Sequence, residues 1–233
     1  MKKNICIVTG SRSEYGLLKN VIKEVRNSNL LNPKIIVTGT HLSKKFGNTV
    51  KYIHEDGFKI NSKLKILKNS DTPNSTCLAI STAISKMSLY LNKNKTHIIL
   101  ILGDRFEVFA CATAALINRI PIAHIHGGEL TYGLIDDSLR HAITKMSQFH
   151  FVSNIAYKKR IIQLGENKKN IFLVGAPGID SIKNTKFINT QKLQKILKIK
   201  FKKKIILMTY NPISLDKRTS NNEIDAILKS LGK

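Results

Sequence analysis

Three short stretches of this chain bring acids, bases and glycines close enough together to do chemistry. The first is Gly10-Ser11-Arg12-Ser13-Glu14. Glycine permits a sharp turn, free N–H groups of a following helix can hold an anion, and Arg12 adds a planar cationic fork that suits a phosphate or diphosphate. The stretch is neither a Walker loop nor a Gly-x-Gly-x-x-Gly fingerprint. Ser11 with Glu14 three positions on also reads as a capping box, and both readings can hold together. The second stretch is Gly103-Asp104-Arg105. It follows a nearly pure apolar run, where an unpaired charge is costly. Asp104 could equally cap a helix from Arg105 onward.

The third stretch, His124-Ile125-His126-Gly127-Gly128-Glu129, is the densest. Strand alternation places the two histidines on one face, and the glycines allow close backbone approach to a ligand. A histidine titrating near neutrality beside Glu129 can form a general acid/base pair. A His-x-His metal pair is the competing reading, but no cluster with ligand spacing completes it. A buried histidine bonded to backbone fits His124 better than His126. Asp136-Asp137-Ser138-Leu139-Arg140-His141 opens a helix, where the dipole alone favours two acids. All these residues except the last group follow expected strands directly.

The elements that must position them alternate strand and helix. Apolar runs at Ile5–Val8, Ile35–Val37, Ile98–Leu102, Ile120–Ile125, Phe149–Val152 and Ile171–Val174 read as strands. Helical spacing of Leu17, Leu18, Val21, Ile22 and Val25 predicts a helix after Arg12. Further helices are expected at Phe46–Ile53, from Thr72-Pro73 to about Leu91, and at Phe106–Ile117, Asp136–Met146 and Ala156–Leu164. Repeated βα units imply an α/β fold with a right-handed, doubly wound parallel sheet of Rossmann-like type. In such a sheet ligands bind beyond the carboxyl ends of the strands. Arg12, Asp104 and His126 should therefore converge at one sheet edge on a common pocket. Gly175-Ala176-Pro177-Gly178 punctuates the chain, which predicts domains at 1–178 and 179–233. The second holds a helix near Leu193–Ile199, a strand Ile205–Met208 and a helix near Ile224–Leu231. One strand cannot bury both its faces, so this second domain reads as incomplete, with apolar surface left exposed.

Composition narrows the function. The chain has 233 residues, 42% hydrophobic and 23% charged, as in a soluble globular protein. No apolar run approaches the roughly 20 residues that cross a bilayer, and the short apolar start is no secretion signal. A cytoplasmic protein without a membrane partner is expected. The net charge of +24 is spread along the chain with no nucleic-acid-binding signature, so no nucleic-acid partner is expected. Cys6, Cys77 and Cys111 are too far apart for a metal site and read as buried or semi-buried free thiols.

Taken together, Thr9–Gly16, Gly39-Thr40-His41-Leu42-Ser43, Gly103–Glu107, His126-Gly127-Gly128-Glu129, Ile135–Lys145 and Gly175–Asp180 resemble the hydrolysing UDP-N-acetylglucosamine 2-epimerases of sialic acid biosynthesis. The resemblance runs from Met1 to about Asp180. It implies the N-terminal half of a two-domain, glycosyltransferase-B-like fold and a UDP-linked N-acetylhexosamine substrate. The implied reaction removes the C2 proton, expels UDP to give a glycal and adds water, yielding N-acetylmannosamine, with no cofactor and no metal. It further implies that Asp104 is an essential acid/base carboxylate, that Asp136 takes part in the reaction, and that His126 stands where many members carry glutamate. Arg12 would contact the diphosphate, and His41, Arg105, Glu129 and Arg140 would line the substrate site. A related hydrolase acting on a UDP- or GDP-linked diacetamido-trideoxyhexose is the alternative, as is an inactive nucleotide-sugar-binding fragment. In Tyr210-Asn211-Pro212-Ile213-Ser214, Asn211 replaces the family's usual histidine and cannot shuttle protons. The resemblance also implies a homo-oligomer, or a partner supplying the rest of the second domain.

Overall fold

A computed structural model describes residues 1–68, 72–210 and 220–232. The motif residues Asn211, Pro212, Ile213 and Ser214 lie outside them. Contacts group Met1–Tyr132 with Asp136–Lys183 in one unit, and Gly133–Ile135 with Asn184–Lys233 in another.

The first unit is built on seven parallel strands: β1 (Lys3–Thr9), β2 (Leu31–Thr38), β3 (Ile60–Leu64), β4 (Ile98–Leu102), β5 (Ile122–Ile125), β6 (Phe149–Val152) and β7 (Ile171–Leu173). Their order is β3-β2-β1-β4-β5-β6-β7, so the winding direction reverses between β1 and β4. That reversal opens a crevice at the strands' carboxyl ends. The helices are α1 (Arg12–Asn27), α2 (Val50–Glu55), α3 (Pro73–Lys93), α4 (Phe106–Ile117), α5 (Ile135–Met146), α6 (Ile155–Gln163) and α7 (Pro177–Lys183).

Strand alternation sorts the apolar residues onto two faces. Cys6, Val8, Ile99 and Ile101 pack with Ala79, Ala83 and Met87 of α3 and the alanines of α4. Ile5, Ile7, Leu100 and Leu102 pack with Tyr15, Leu18 and Ile22 of α1 and with Ile53 of α2. Small residues on α4 let that helix lie close to the sheet. Leu18 and Ile22 are fully buried, so truncating either to alanine would cost about 2–5 kcal/mol.

Several sequence expectations need correction. The helix expected at Phe46–Ile53 begins only at Val50, because Gly47 and Asn48 adopt left-handed backbone (φ +80° and +47°). The strand β3 was not expected, since Asn61, Ser62 and Lys63 mask any apolar alternation in a strand at the sheet edge. Helix α7 begins at Pro177, inside the expected punctuation, where proline suits a first helical turn. Cys6 and Cys111 are buried, but Cys77 is exposed on α3.

The second unit holds α8 (Thr190–Leu197) and α9 (Ser220–Leu231). Ile205–Met208 is not a strand, and all four of its residues are exposed. A strand needs a neighbour for its ladder hydrogen bonds, and none stands beside this segment among the described residues. No helix among the described residues is long and apolar enough to cross a membrane.

Candidate functional site

The carboxyl ends of β1, β4 and β5 are adjacent, and each delivers one of the three chemically dense stretches. At the end of β1 the chain turns into α1 through a complete capping box. Ser11 Oγ accepts from the Glu14 N–H at 3.4 Å, and Glu14 Oε2 accepts from the N–H groups of Gly10 (2.6 Å) and Ser11 (3.1 Å). One of the first-turn N–H groups expected to be free for an anion, that of Glu14, is thus engaged by the chain itself. Arg12 is exposed, with its guanidinium 5.1 Å from the centre of the Tyr52 ring. That stacking leaves the fork's hydrogen-bonding edge available to a phosphate.

Glu14 is buried, with Glu107 beside it and Arg105 facing both. Arg105 donates to Glu107 from Nε (3.2 Å) and Nη2 (3.0 Å), and its Nε lies 3.8 Å from Glu14 Oε1. Glu107 is fully buried. Burial pushes the Glu14 carboxyl up to about 7; the Glu107 charge adds to this, against hydrogen bonds from Gly10 and Ser11 and the Arg105 charge. Burial acts to lower the Arg105 pKa, but the two carboxylates outweigh it and hold that pKa above its ordinary value. The adjoining loop is tight. A β-carbon on Gly39 (φ +58°) would stand 2.5 Å from Glu107 Oε1 and 2.7 Å from the Gly10 carbonyl.

His41, in the short turn that follows, is fully buried. Its Nε2 faces Thr9 Oγ1 (3.1 Å) and its Nδ1 faces Thr49 Oγ1 (2.8 Å), and burial lowers its pKa to about 4. Both ring nitrogens serve the fold, tying the ends of β1 and α2 together.

At the end of β4, Asp104 accepts from Arg140 Nη2 of α5, whose Nη1 donates to Thr131 Oγ1 at 2.8 Å. Arg140 is buried, and its Nε meets no partner among the described residues. Burial raises the Asp104 pKa; Arg140 opposes this and the nearby charge of Asp136 adds to it, leaving the pKa above its ordinary value. Asp136 lies half-buried in the first turn of α5. A carboxyl held above its ordinary range by burial beside a second carboxylate is suited to acid/base work.

At the end of β5 the two histidines part company. His124 is fully buried, donates from Nε2 to the Gly103 carbonyl at 2.7 Å, and accepts at Nδ1 from Thr144 Oγ1 at 3.3 Å. Burial lowers its pKa to about 3, so it is a neutral structural group. His126 has left-handed backbone (φ +65°), which ends the strand alternation expected to align the two rings. Its Nδ1 lies 2.5 Å from Glu129 Oε1, and the same oxygen accepts from Ser153 Oγ at 3.1 Å. Burial would raise the Glu129 pKa, but the bonds from His126 and Ser153 and the charges of His126 and Arg140 bring it below its ordinary value.

The two glycines make room for the protein rather than for a ligand. A β-carbon on Gly127 would meet His124 Nδ1 and Thr144 Oγ1 at 3.0 Å, and one on Gly128 would meet the Tyr157 carbonyl at 2.6 Å. Thr131 and Arg160 carry no functional sign in the sequence, and Glu107 is marked only as the last residue of the Gly103–Glu107 stretch that carries the resemblance. Glu107 in a first helical turn reads as a response to the helix dipole, and only its burial against Arg105 reveals more.

One cavity of about 190 Å³ borders this edge, lined by Thr40, Lys45, Lys68, Arg105 and Glu107 among others; Arg12, Asp104 and His126 are not in its wall. No group of three or more His, Cys, Asp or Glu able to hold a metal occurs among the described residues.

The family model described as UDP-N-acetylglucosamine 2-epimerase matches residues 23–233. A GDP/UDP-N,N'-diacetylbacillosamine 2-epimerase (hydrolyzing) of Campylobacter jejuni is 44% identical over 230 residues, covering 99% of this chain and 60% of that protein. The polysialic acid biosynthesis protein P7 of Escherichia coli is 34% identical, covering 98% and 58% respectively. The chain thus spans about 60% of the length of these relatives. The crystal structure of a UDP-GlcNAc 2-epimerase from Neisseria meningitidis bound to UDP-GlcNAc superposes with a TM-score of 0.69 at 24% identity, covering 84% of this chain and 52% of that one.

Proposed function

Because the chain belongs to the UDP-N-acetylglucosamine 2-epimerase family, we propose that it provides the sheet-edge half of a hydrolysing 2-epimerase site for nucleoside-diphosphate-linked 2-acetamido sugars. The observation that carries this reading is the Asp104–Arg140 pair at the winding reversal. It is a carboxyl kept above its ordinary pKa by burial, with Asp136 nearby and the His126–Glu129 pair on the adjoining strand end. Abstracting the C2 proton and expelling a nucleoside diphosphate needs such groups on the reacting ring, and a cation for the departing phosphate.

In this reading Asp104, His126 and Asp136 exchange protons with the sugar. Arg12, free at its hydrogen-bonding edge, takes the diphosphate. Arg105 and Arg140, each neutralised by carboxylates, hold the site's shape at the substrate's border, and His41 holds the loop beneath it. The C2 proton leaves, UDP or GDP departs to give a glycal, and water adds across the double bond. The sugar is read as a 2,4-diacetamido-trideoxyhexose in preference to N-acetylglucosamine. Supporting this is the 44% identity to the Campylobacter jejuni diacetylbacillosamine enzyme, against 32% to a Neisseria meningitidis protein named for UDP-N-acetylglucosamine. We further propose domains at 1–178 and 179–233, and a homo-oligomeric assembly.

The test incubates the chain in D₂O with the UDP- and GDP-linked diacetamido sugars and with UDP-N-acetylglucosamine. Expected are deuterium at C2 of the product, release of the nucleoside diphosphate, and protection of the 10–14 and 103–105 amides from hydrogen exchange. Protection without deuteration would keep the nucleotide-sugar site and remove the catalysis. Neither effect with any of the three sugars would overturn the reading.

A further inference from the structure

We propose that Glu129 and Ser153 are positioning residues that lock His126 into the Nδ1–H tautomer and leave its Nε2 as the working lone pair. This differs from a role for Glu129 as a substrate contact. Glu129 Oε1 is occupied twice, by His126 Nδ1 at 2.5 Å and by Ser153 Oγ at 3.1 Å. An ionised carboxylate can only accept, so the proton in the short contact belongs to Nδ1. Whenever the ring is neutral, that placement of its single proton leaves Nε2 bare. That nitrogen is buried and meets no partner among the described residues, although 17% of the side chain still borders solvent. A buried polar atom left without a partner is destabilising, and is tolerated where the atom has work to do.

The backbone holds the ring in this pose. His126 takes a left-handed conformation that is unfavourable for a non-glycine residue and persists only where its surroundings enforce it. Two contacts enforce it. The His126 N–H donates to the Phe151 carbonyl of β6 at 3.1 Å. Arg160 of α6 donates through Nη1 to the Gly128 carbonyl, on a glycine that itself needs φ +77° to pass beneath Tyr157. Ser153 lies directly after β6, so one strand supplies both the backbone acceptor for His126 and the hydroxyl that fixes its carboxylate partner. His124, two residues earlier, is the internal contrast: it donates from Nε2 to the Gly103 carbonyl and therefore carries the opposite tautomer.

The proton-transfer role of Nε2 rests on the proposed epimerase reading; the tautomer does not, and the two are tested separately. Two-bond ¹H–¹⁵N correlation spectra of the full chain with ¹⁵N-histidine, at about pH 8, report which ring nitrogen carries the proton. The His126 signals are assigned by their loss in His126→Gln. Expected is Nδ1–H for His126 and Nε2–H for His124. Glu129→Ala should shift His126 toward Nε2–H, while Glu129→Gln, which keeps an accepting oxygen and nearly the same volume, should retain Nδ1–H. Unchanged His124 signals report that each variant is folded. An Nε2–H tautomer for His126 in the parent chain, or Nδ1–H persisting in folded Glu129→Ala, overturns the proposal whatever the reaction proves to be. With turnover established, Glu129→Gln should lower kcat about a hundredfold while leaving KM nearly unchanged. A rise in KM at constant kcat would instead make Glu129 a substrate contact.

Discussion

The Glu14 carboxyl ties the stability of this fold to pH in a way that one conservative substitution should expose. Burial at the β1–α1 turn raises its pKa from an ordinary 4.5 to about 7. The folded chain therefore holds this proton more tightly than the unfolded chain. The stabilisation from this group is complete below about pH 4.5 and is lost as pH rises through about 7. At about 1.4 kcal/mol per unit, the loss between roughly pH 5 and pH 8 comes to about 2.5 kcal/mol. Glu14→Gln keeps an oxygen to accept from the Gly10 and Ser11 N–H groups, which stand 2.6 and 3.1 Å from the carboxylate, but cannot ionise. Urea unfolding of both proteins at intervals between those pH values gives two stability curves. Groups common to both, including the buried His41 and His124, cancel in their difference. The parent should lose about 2.5 kcal/mol relative to Glu14→Gln on going from the acid to the alkaline end. Curves that stay parallel within about 0.5 kcal/mol would show that Glu14 ionises inside the fold as easily as in water, and the burial argument would fail.

Two further outcomes follow from the same region. Arg140→Met should destabilise the chain by about 3–5 kcal/mol, because it strands Asp104 beside Asp136, and adding Asp104→Asn should recover most of that loss in urea unfolding. Equal instability of the single and double variants would refute the pairing. Gly39→Ala should lower stability by about 1–2 kcal/mol for its left-handed backbone and about 1–3 more for the collision with Glu107 and the Gly10 carbonyl. Gly103→Ala has the same backbone demand (φ +82°) with nothing within 4 Å, so it should show only the first cost. Thermal unfolding of the two alanine variants makes the comparison, and equal losses would count against the crowding at Gly39.

The amino-acid sequence by itself determined the α/β alternation and the chemical edge. Apolar runs such as Ile98–Leu102 and helical spacing such as Leu18 and Ile22 are local patterns that burial on a two-faced sheet requires. Glycines and charges that follow such runs directly fall at strand ends, so the positions of Arg12, Asp104 and His126 beyond β1, β4 and β5 could be named in advance. The polar edge strand β3 and the late start of α2 were hidden, since neither leaves an apolar period to read.

Only the tertiary structure decided what each candidate does. The sequence offered His41 as a site-lining residue and His124 as a buried, backbone-bonded one; both ring nitrogens of each are engaged within the fold, while His126 keeps one nitrogen without a protein partner among the described residues. Glu14 and Glu107, which read as helix-start acids, are buried around Arg105. The physical reason is common to all of them. A side chain's protonation, tautomer and availability are set by burial and by partners that the fold brings from distant positions, such as Ser153 to Glu129 and Arg140 to Asp104.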